Sequence, residues 1–321
     1  MLIDYLAIFA GFILLIWSAD RFIVGAAATA RIFDVPPLII GLTIVGFGTS
    51  APEMMVAGFA AYDGSPAMAI GNALGSNITN ITLVLGAAAL ITPLAVHSRI
   101  IKKELPILLL ATLVALALMR DMTLDRFDGF ILASLLVLLM WWITRQAIRT
   151  KSNDALTDEY IAELPDKMPT SHAIFWLIAG LIFLTASSKI LVWGAVNVAV
   201  SLGISELVIG LTVIAIGTSL PELAASIAGA IKNEHDIAIG NVVGSNLFNT
   251  LGVLAIPGLV HPAPLVEGVL ERDLPVVFVL TLLLFVMGYG FRGEGRINRL
   301  EGGLLMSAFI AYQILLFFTV I

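Results

Sequence analysis

Long apolar stretches recur along the whole 321-residue chain, and each is long enough to cross a lipid bilayer. A hydrocarbon core of about 30 Å is crossed by a helix of about 20 apolar residues. Charged residues make up only 12% of the chain, whereas soluble proteins contain about 25%. The sequence therefore predicts an all-α integral membrane protein. Its ten predicted transmembrane helices are 3–20, 37–62, 66–94, 104–120, 127–145, 172–200, 206–231, 237–260, 274–291 and 302–320.

The composition excludes several classes of protein and site. The apolar stretches do not alternate with period two, which excludes an outer-membrane barrel. Because the chain has no cysteine, it contains no disulfide, zinc–thiolate or iron–sulfur site. There is no basic cluster, so we expect no nucleic-acid partner, and we expect no resident cofactor. No basic residue precedes the first apolar stretch, which predicts a retained helix rather than a cleaved signal peptide.

The distribution of lysine and arginine predicts the orientation in the membrane. With ten helices, 13 basic residues fall on the side of the polar segment 146–171 and 3 on the side of the termini. Cytoplasmic segments are enriched in basic residues, so both termini should lie outside and 146–171 in the cytoplasm. We also expect the protein in the plasma (inner) membrane of a prokaryotic cell. Asp20, Arg21 and Lys189 are predicted to lie close enough to helix ends to reach the interface, so we assign them no role.

The two halves of the chain repeat each other at an offset of 169 residues. "GLTIVGFGTSAPE" at 41–53 matches "GLTVIAIGTSLPE" at 210–222. Without a gap, "AIGNALGSNITN" at 69–80 matches "AIGNVVGSNLFN" at 238–249. These matches predict two units of one architecture within a single chain.

The predicted units are a five-helix repeat at 1–145, the loop at 146–171 and a second five-helix repeat at 172–321. Because five is an odd number, the second repeat should cross the membrane in the opposite direction to the first. Inverted repeats are typical of secondary transporters, whose substrate site lies near the midplane on broken helices where the halves meet.

The first repeated motif, GTSxPE, places a proline and a glutamate inside a membrane helix of each half. Pro52 has no amide proton, so the carbonyl four residues before it loses its helical partner, and Pro221 has the same effect. An ionised Glu53 or Glu222 in hydrocarbon is costly unless it has a partner. Since both unfavourable features occur twice, the motif predicts a paired functional site rather than a simple kink.

The second repeated motif, GNxxGSNxxN, aligns small polar residues on one helical face. Its glycines are four residues apart and predict close approach of a neighbouring helix. Its polar stripe is Asn72, Ser76 and Asn80 in the first half and Asn241, Ser245 and Asn249 in the second.

The two motifs together supply carboxylates, hydroxyls, amide oxygens and freed carbonyls, and no sulfur. Such oxygen sets bind hard cations; calcium takes about six to eight oxygens in adaptable geometry, and magnesium prefers to keep its waters. Sodium is close to calcium in size and accepts similar ligands. Two carboxylates contribute a charge of about −2, which neutralises one divalent ion or most of a small group of monovalent ions. Competition between two kinds of ion for one ligand set is what an antiporter needs.

These motifs resemble the α-repeats of the Ca²⁺/cation antiporter superfamily, in its sodium/calcium exchanger branch, and the resemblance extends from end to end of the chain. It implies four overlapping cation sites. The implied calcium ligands are Glu53, Glu222, Thr49 and Thr218, flanked by Asn80 and Asn249. The implied ligands of one sodium site are Ser50, Ser76, Glu53 and the carbonyl of Gly46; those of the other are Ser219, Ser245, Glu222 and the carbonyl of Ala215.

The resemblance also implies electrogenic exchange of several sodium ions for each calcium, with helices 1 and 6 moving past a core of helices 2, 3, 7 and 8. Some relatives carry an aspartate at the position of Asn249, and in potassium-dependent exchangers that acid goes with potassium transport. Because this chain has an amide there, we expect exchange that does not require potassium.

Three alternatives remain at this stage. A proton-coupled calcium antiporter would use the same glutamates as proton carriers. A passive cation channel is compatible with broken helices, although it would show no dependence on a counter-ion. An intramembrane hydrolase with Ser50 or Ser219 as nucleophile would need a general base within reach, and no histidine falls at midplane depth.

Overall fold

The computed structural model describes residues 2–33, 46–97, 99–149, 168–290 and 295–318, and most of these residues are helical. We number the helical segments of these ranges α1 to α10, and a segment keeps one label where it is interrupted by a break or a π-helical turn. The first five are α1 (Leu2–Ile32), α2 (Gly46–Thr49 and Ala51–Tyr62), α3 (Pro66–Thr79, π-helical Asn80–Val84 and Leu85–Ile91), α4 (Arg99–Leu118) and α5 (Arg126–Arg149). The others are α6 (Thr170–Leu202), α7 (Glu206–Ile209, π-helical Gly210–Ile214, Ala215–Thr218 and Leu220–Lys232), α8 (His235–Phe248, π-helical Asn249–Val253 and Ala255–Val260), α9 (π-helical Val269–Asp273 and Leu274–Tyr289) and α10 (Arg299–Phe318).

Six helices of the described ranges are long and apolar enough to cross a membrane unbroken: α1, α3, α5, α6, α8 and α10. A seventh span is α7 if its two parts, which meet at an angle of 43°, are taken together. Residues 37–45 of the second predicted helix lie outside the described ranges, as do 150–167 of the predicted loop.

The prediction that α1 ends at residue 20 is wrong, because the helix continues to Ile32. Asp20 and Arg21 therefore lie inside α1 and not near its end, and Lys189 likewise lies well inside α6. Arg21 Nε pairs with Asp20 Oδ2 at 3.3 Å, and its guanidinium lies 5.2 Å from the ring centre of Trp176 in α6. These partners compensate the charge without ending the helix. The basic-residue bias keeps its direction when Arg21 is left out.

The helices α3 and α8 form the centre of the molecule. Their spans are 78% and 83% buried inside the protein, whereas the other four unbroken spans are only 22 to 28% buried. The N-terminal part of α3 packs against the N-terminal part of α7 and against the C-terminal part of α2. The second repeated motif therefore lies on the central helices, and the first lies on α2 and α7, which pack against them.

The long helices α1 and α6 pack antiparallel along each other at the periphery. Glycines at equivalent positions of the two halves let their backbones approach closely. The facing pairs are Gly11 with Leu191, Gly25 with Leu177, Gly180 with Phe22 and Gly194 with Ile8.

Two short antiparallel strand pairs join the halves. The strand β1 (Leu94–Val96), which follows α3, pairs with β4 (Gly295–Ile297), which precedes α10. In the same way β3 (Ala263–Pro264), which follows α8, pairs with β2 (Thr123–Leu124), which precedes α5. Each half thus contributes one strand to each pair, so the two halves interlock.

Candidate cation site

The helices α2 and α7 are broken at equivalent residues. Ser50 separates the two parts of α2 with φ −87° and ψ 0°, and Ser219 separates the parts of α7 with φ −84° and ψ 4°. Both residues occupy the bridge region of backbone space, which is sparsely populated outside turns and functional sites. Pro52 and Pro221 lie in the first turn of the helix that follows, where a missing N–H is tolerated. The break predicted from the prolines is confirmed.

The side chains of the predicted site are buried. Glu53 and Glu222 have no exposed surface, and none of the hydroxyl and amide residues of the site exceeds 4% exposure. Those residues are Thr49, Ser50, Ser76, Asn80, Thr218, Ser219, Ser245 and Asn249. Ala215 is buried in α7, and Gly46 is the first described residue of α2.

The first motif of each half meets the second motif of the other half. Thr49 Oγ1 lies 3.4 Å from Ser245 Oγ, and Ser76 Oγ lies 3.4 Å from Thr218 Oγ1. These two contacts are equivalent under the 169-residue offset. The structure therefore brings Thr49, Ser76, Thr218 and Ser245 of the two halves together.

The glutamates carry buried oxygens with no hydrogen-bond partner within the described chain. Both carboxylate oxygens of Glu53 are of this kind, whereas Glu222 Oε1 accepts a bond from Ser245 Oγ at 3.2 Å and only Oε2 is unpartnered. Ser50 Oγ, Ser219 Oγ, Asn80 Oδ1 and both polar atoms of the Asn249 amide are also buried without partners. Buried polar atoms without a hydrogen-bond partner are rare, because their desolvation costs free energy that no hydrogen bond offsets. Several such oxygens together are suited to binding a cation.

Two further amides hold the backbone of the glutamates. Asn72 Nδ2 donates to the carbonyl of Glu53, and Asn241 Nδ2 donates to the carbonyl of Glu222, both at 3.1 Å. The predicted set of site residues omitted Asn72 and Asn241. Their signal was present in the sequence, since both belong to the repeated GNxxGSNxxN motif at equivalent positions.

A π-helical turn begins at the last asparagine of the motif in each half. It covers Asn80–Val84 in α3 and Asn249–Val253 in α8, which are equivalent segments. Such turns shift the register of a helix by one residue and are frequent at functional sites. Neither turn was predicted from the sequence.

The chemistry of the site depends on neutral oxygens around two carboxylates. No group of three or more histidine, cysteine, aspartate or glutamate residues suited to a metal ion occurs in the described parts of the chain. A cation held here would draw most of its ligands from hydroxyls, amides and backbone carbonyls, which favours hard ions over transition metals.

Comparison with known proteins identifies the family. The family model described as sodium/calcium exchanger protein matches residues 3–145 and 172–318. The chain belongs to the sodium/calcium exchanger family. It is a multi-pass membrane transporter and not an enzyme, and the family predicted from the repeated motifs is confirmed.

Relatives from bacteria and archaea match this family member along nearly its whole length. The inner membrane protein YrbG of Escherichia coli is 41% identical over 99% of this chain and 98% of its own. The sodium/calcium exchanger MaX1 of Methanosarcina acetivorans is 27% identical over 98% of this chain and 99% of its own. The solved structure of the sodium-calcium exchanger NCX_Mj, soaked with Na⁺ and Sr²⁺, is similar with a TM-score of 0.68 and 32% identity, covering 97% of each chain.

Proposed function

We propose that this protein is a secondary transporter that exchanges Na⁺ for Ca²⁺ across the plasma membrane by alternating access. One observation carries the proposal: two fully buried glutamates lie among neutral oxygens contributed by both halves, and three of their four carboxylate oxygens have no hydrogen-bond partner in the described chain. A neutral oxygen set of this kind suits calcium and sodium. Membership of the exchanger family supports the same ions.

The proposed architecture is ten transmembrane helices in two inverted five-helix repeats, at 1–145 and 172–321. The equivalent helix breaks at Ser50 and Ser219 and the equivalent π-helical turns support it. We place the protein in the inner membrane with both termini outside and 146–171 in the cytoplasm, on the ground of the basic-residue bias.

The proposed calcium site is formed by Glu53 and Glu222 with Thr49 and Thr218, and Asn80 and Asn249 flank it. The proposed sodium ligands are Ser50, Ser76, Glu53 and the carbonyl of Gly46 on one side, and Ser219, Ser245, Glu222 and the carbonyl of Ala215 on the other. Two contacts between the halves support this arrangement, that of Thr49 with Ser245 and that of Ser76 with Thr218. Each places a proposed calcium ligand within hydrogen-bonding distance of a proposed sodium ligand. Ions at adjoining sites would then compete.

Charge determines the expected coupling. The two glutamates balance one Ca²⁺, whereas several Na⁺ ions exceed that charge, so exchange moves net charge across the membrane. With amides at Asn80 and Asn249 the site has no surplus carboxylate for a further cation, so the proposed exchange needs no potassium. We propose no resident cofactor, since Ca²⁺ and Na⁺ are the transported substrates.

The proposed moving unit is the pair α1 and α6. These helices pack chiefly on each other and next on α2 and α7, and only 22% and 28% of their spans are buried. They can therefore shift over α2 and α7 without disrupting the buried centre formed by α3 and α8. The glycines along their contact place no side chain between the two backbones. Access to the site would alternate as the pair moves from one side of α2 and α7 to the other.

Proton coupling is the rival mechanism, because a buried glutamate can also carry a proton. The deciding experiment is ⁴⁵Ca²⁺ uptake into proteoliposomes with an imposed Na⁺ gradient at two pH values. We expect uptake that requires the Na⁺ gradient at both values. Uptake driven by a pH gradient without Na⁺ would favour proton coupling, and uptake that needs neither gradient would indicate a channel.

A further inference from the structure

Two asparagines that have no assigned role lie at equivalent positions on the central helices. Asn77 in α3 and Asn246 in α8 each follow a proposed serine ligand directly and precede a proposed asparagine ligand by three residues. Both are buried, with 2% and 1% of their surface exposed. Their equivalence predicts equal hydrogen bonds in the two halves.

The structure instead gives them different partners. Asn77 Nδ2 donates to Thr250 Oγ1 at 2.9 Å. Asn246 Nδ2 donates to the backbone carbonyl of Asn77 at 3.3 Å, and Asn246 Oδ1 accepts a bond from Asn80 Nδ2 at 3.1 Å. Asn246 is therefore bonded to a proposed ligand, and Asn77 is bonded to a residue outside the ligand set.

The cause of the asymmetry is one difference between the repeats. The position equivalent to Thr250 in the first half is Ile81, which has no hydroxyl. Thr250 Oγ1 accepts a hydrogen bond from the amide of Asn77, whereas the Ile81 side chain has no polar atom that could bond to Asn246. The amide of Asn246 then turns to the backbone of α3 and presents its oxygen to Asn80.

This contact fixes which end of the Asn80 amide is available to a cation. An amide has a donor end and an acceptor end, and only the oxygen can ligate a cation. With Nδ2 of Asn80 held by Asn246, Oδ1 is left buried and without a partner in the described chain. At Asn249 both ends of the amide lack a partner there, so its orientation is not fixed in this way.

We infer that Asn246 is a positioning residue that turns the side-chain oxygen of Asn80 toward the cation site, so that the two flanking amides act unequally. The inference rests on the proposed function, in which Asn80 is a ligand. Loss of the Asn246 oxygen lets the Asn80 amide rotate and point its N–H₂ group at the cation. Calcium affinity falls as a result, although the site and its carboxylates remain in place.

The test is equilibrium ⁴⁵Ca²⁺ binding to the purified protein, because it does not depend on which ion is coupled. Asn246→Leu removes both polar atoms at similar size, and we expect the calcium Kd to rise about five- to tenfold, the effect of one buried hydrogen bond. Asn246→Asp keeps the acceptor but not the donor to Asn77, so its Kd should not rise above that of the unmodified protein. A rise with Asn246→Asp equal to that with Asn246→Leu would overturn the inference.

A double-mutant cycle separates positioning from packing. In an Asn80→Ala background, Asn246→Leu should change the Kd by less than about twofold, since the amide that it positions is gone. Asn77→Leu is the matched control, because it deletes the equivalent amide without touching Asn80, and its Kd should stay within about twofold of the unmodified value. Equal effects of Asn246→Leu in both backgrounds, or a fivefold rise with Asn77→Leu, would contradict the assignment.

Flux measurements complete the test. Calcium exchange by Asn246→Leu should show the raised KM with a maximum rate within about twofold of the unmodified protein, whereas a misfolded variant would lose rate. If Asn246→Leu does not elute as a monodisperse species, Asn246→Ser replaces it, since it shortens the side chain without adding apolar bulk. If the unmodified protein binds no Ca²⁺, the proposed function fails; if it binds Ca²⁺ and Asn246 has no effect, only the inference fails.

Discussion

The two halves of the molecule share one framework of backbone breaks and polar residues, but they connect that framework differently. In the first half, Asn72 donates to the Glu53 carbonyl and accepts a bond from Thr218 of the other half at 3.2 Å. In the second half, Asn241 donates to the Glu222 carbonyl and to Ser226 of its own half at 3.0 Å.

The difference arises from hydroxyls that only the second half possesses. The position equivalent to Ser226 is Ala57, and the position equivalent to Thr250 is Ile81. Each hydroxyl accepts a bond from an amide of the central helices: Ser226 from Asn241 of its own half, and Thr250 from Asn77 of the other half. The repeated motifs thus have the same backbone geometry in both halves, but their equivalent side chains have different hydrogen-bond partners.

We expect the two halves to respond most similarly to replacement of their glutamates. Replacing Glu53 or Glu222 by glutamine keeps the shape and removes half of the site's charge. At about 4 Å and an effective dielectric of about 20, one unit charge pair is worth about 4 kcal/mol, so calcium transport should fall by at least about a hundredfold in either variant. Calcium flux in proteoliposomes measures the effect.

Glu206→Gln is the matched control for this comparison. Glu206 lies at the start of α7, in the same helix as Glu222, but it bonds to Ser65 away from the site. Its flux should stay close to that of the unmodified protein. Near-normal flux in Glu53→Gln or Glu222→Gln would break the site assignment.

The proposed inversion of the halves predicts that equivalent loop residues face opposite sides of the membrane. Asp63 and Lys232 are equivalent and exposed, each next to the turn that follows the broken helix of its half. The chain has no cysteine, so single Asp63→Cys and Lys232→Cys variants report their side by labelling with an impermeant maleimide in intact cells. Asp63→Cys should label and Lys232→Cys should not, and labelling of both from outside would refute the inversion.

The two asparagines that hold the glutamate carbonyls should not be equally sensitive. Asn72→Leu breaks a bond to Glu53 and also the contact with Thr218, a proposed calcium ligand of the other half. Asn241→Leu breaks a bond to Glu222 and one to Ser226, both in its own half. We expect the calcium KM to rise about tenfold for Asn72→Leu and about twofold to threefold for Asn241→Leu, because a buried hydrogen bond contributes about 1 kcal/mol and only Asn72 is bonded to a side chain proposed as a ligand, Thr218. Equal KM values in the two variants would remove the distinction between the halves.

Aspartate at the flanking positions gives the smallest expected difference. In Asn249→Asp a third carboxylate replaces an amide without partners in the described chain, so the fold should tolerate it and the cation dependence of exchange should change. In Asn80→Asp the new carboxylate faces the side-chain oxygen of Asn246, and that oxygen loses the hydrogen bond that it accepted from Asn80 Nδ2. We expect Asn80→Asp to reduce flux about threefold more than Asn249→Asp, since a lost buried bond is worth about 1 kcal/mol.

Potassium sharpens this last comparison. Sodium-driven calcium flux in the unmodified protein should be the same with and without K⁺ when the membrane voltage is clamped. Asn249→Asp should show an altered response to K⁺ or to pH, because the site then has a surplus negative charge. Flux that disappears in the unmodified protein when K⁺ is withdrawn would show that the charge argument is wrong.

Much of the fold and site was predictable because the signal is local. The breaks at Ser50 and Ser219 follow from prolines two residues later, and the burial of Glu53 and Glu222 follows from the apolar stretches around them. The end of α1 was predicted wrongly because a charged pair was read as a helix end. Arg21 instead pairs with Asp20 and lies over the Trp176 ring of α6. The contact with a second helix cannot be predicted from residue spacing within α1.

The sequence by itself determined the membrane class, the repeat, the two motifs and the family, since these depend on composition and on spacing within short segments. Only the tertiary structure decided which groups of the two halves meet. Thr49 and Ser245 are 196 residues apart, and Asn80 and Asn246 are 166 apart, so no periodicity connects them. A hydrogen bond depends on the distance and angle between two atoms, and the single exchange of Ile81 for Thr250 redirects an amide without changing either motif.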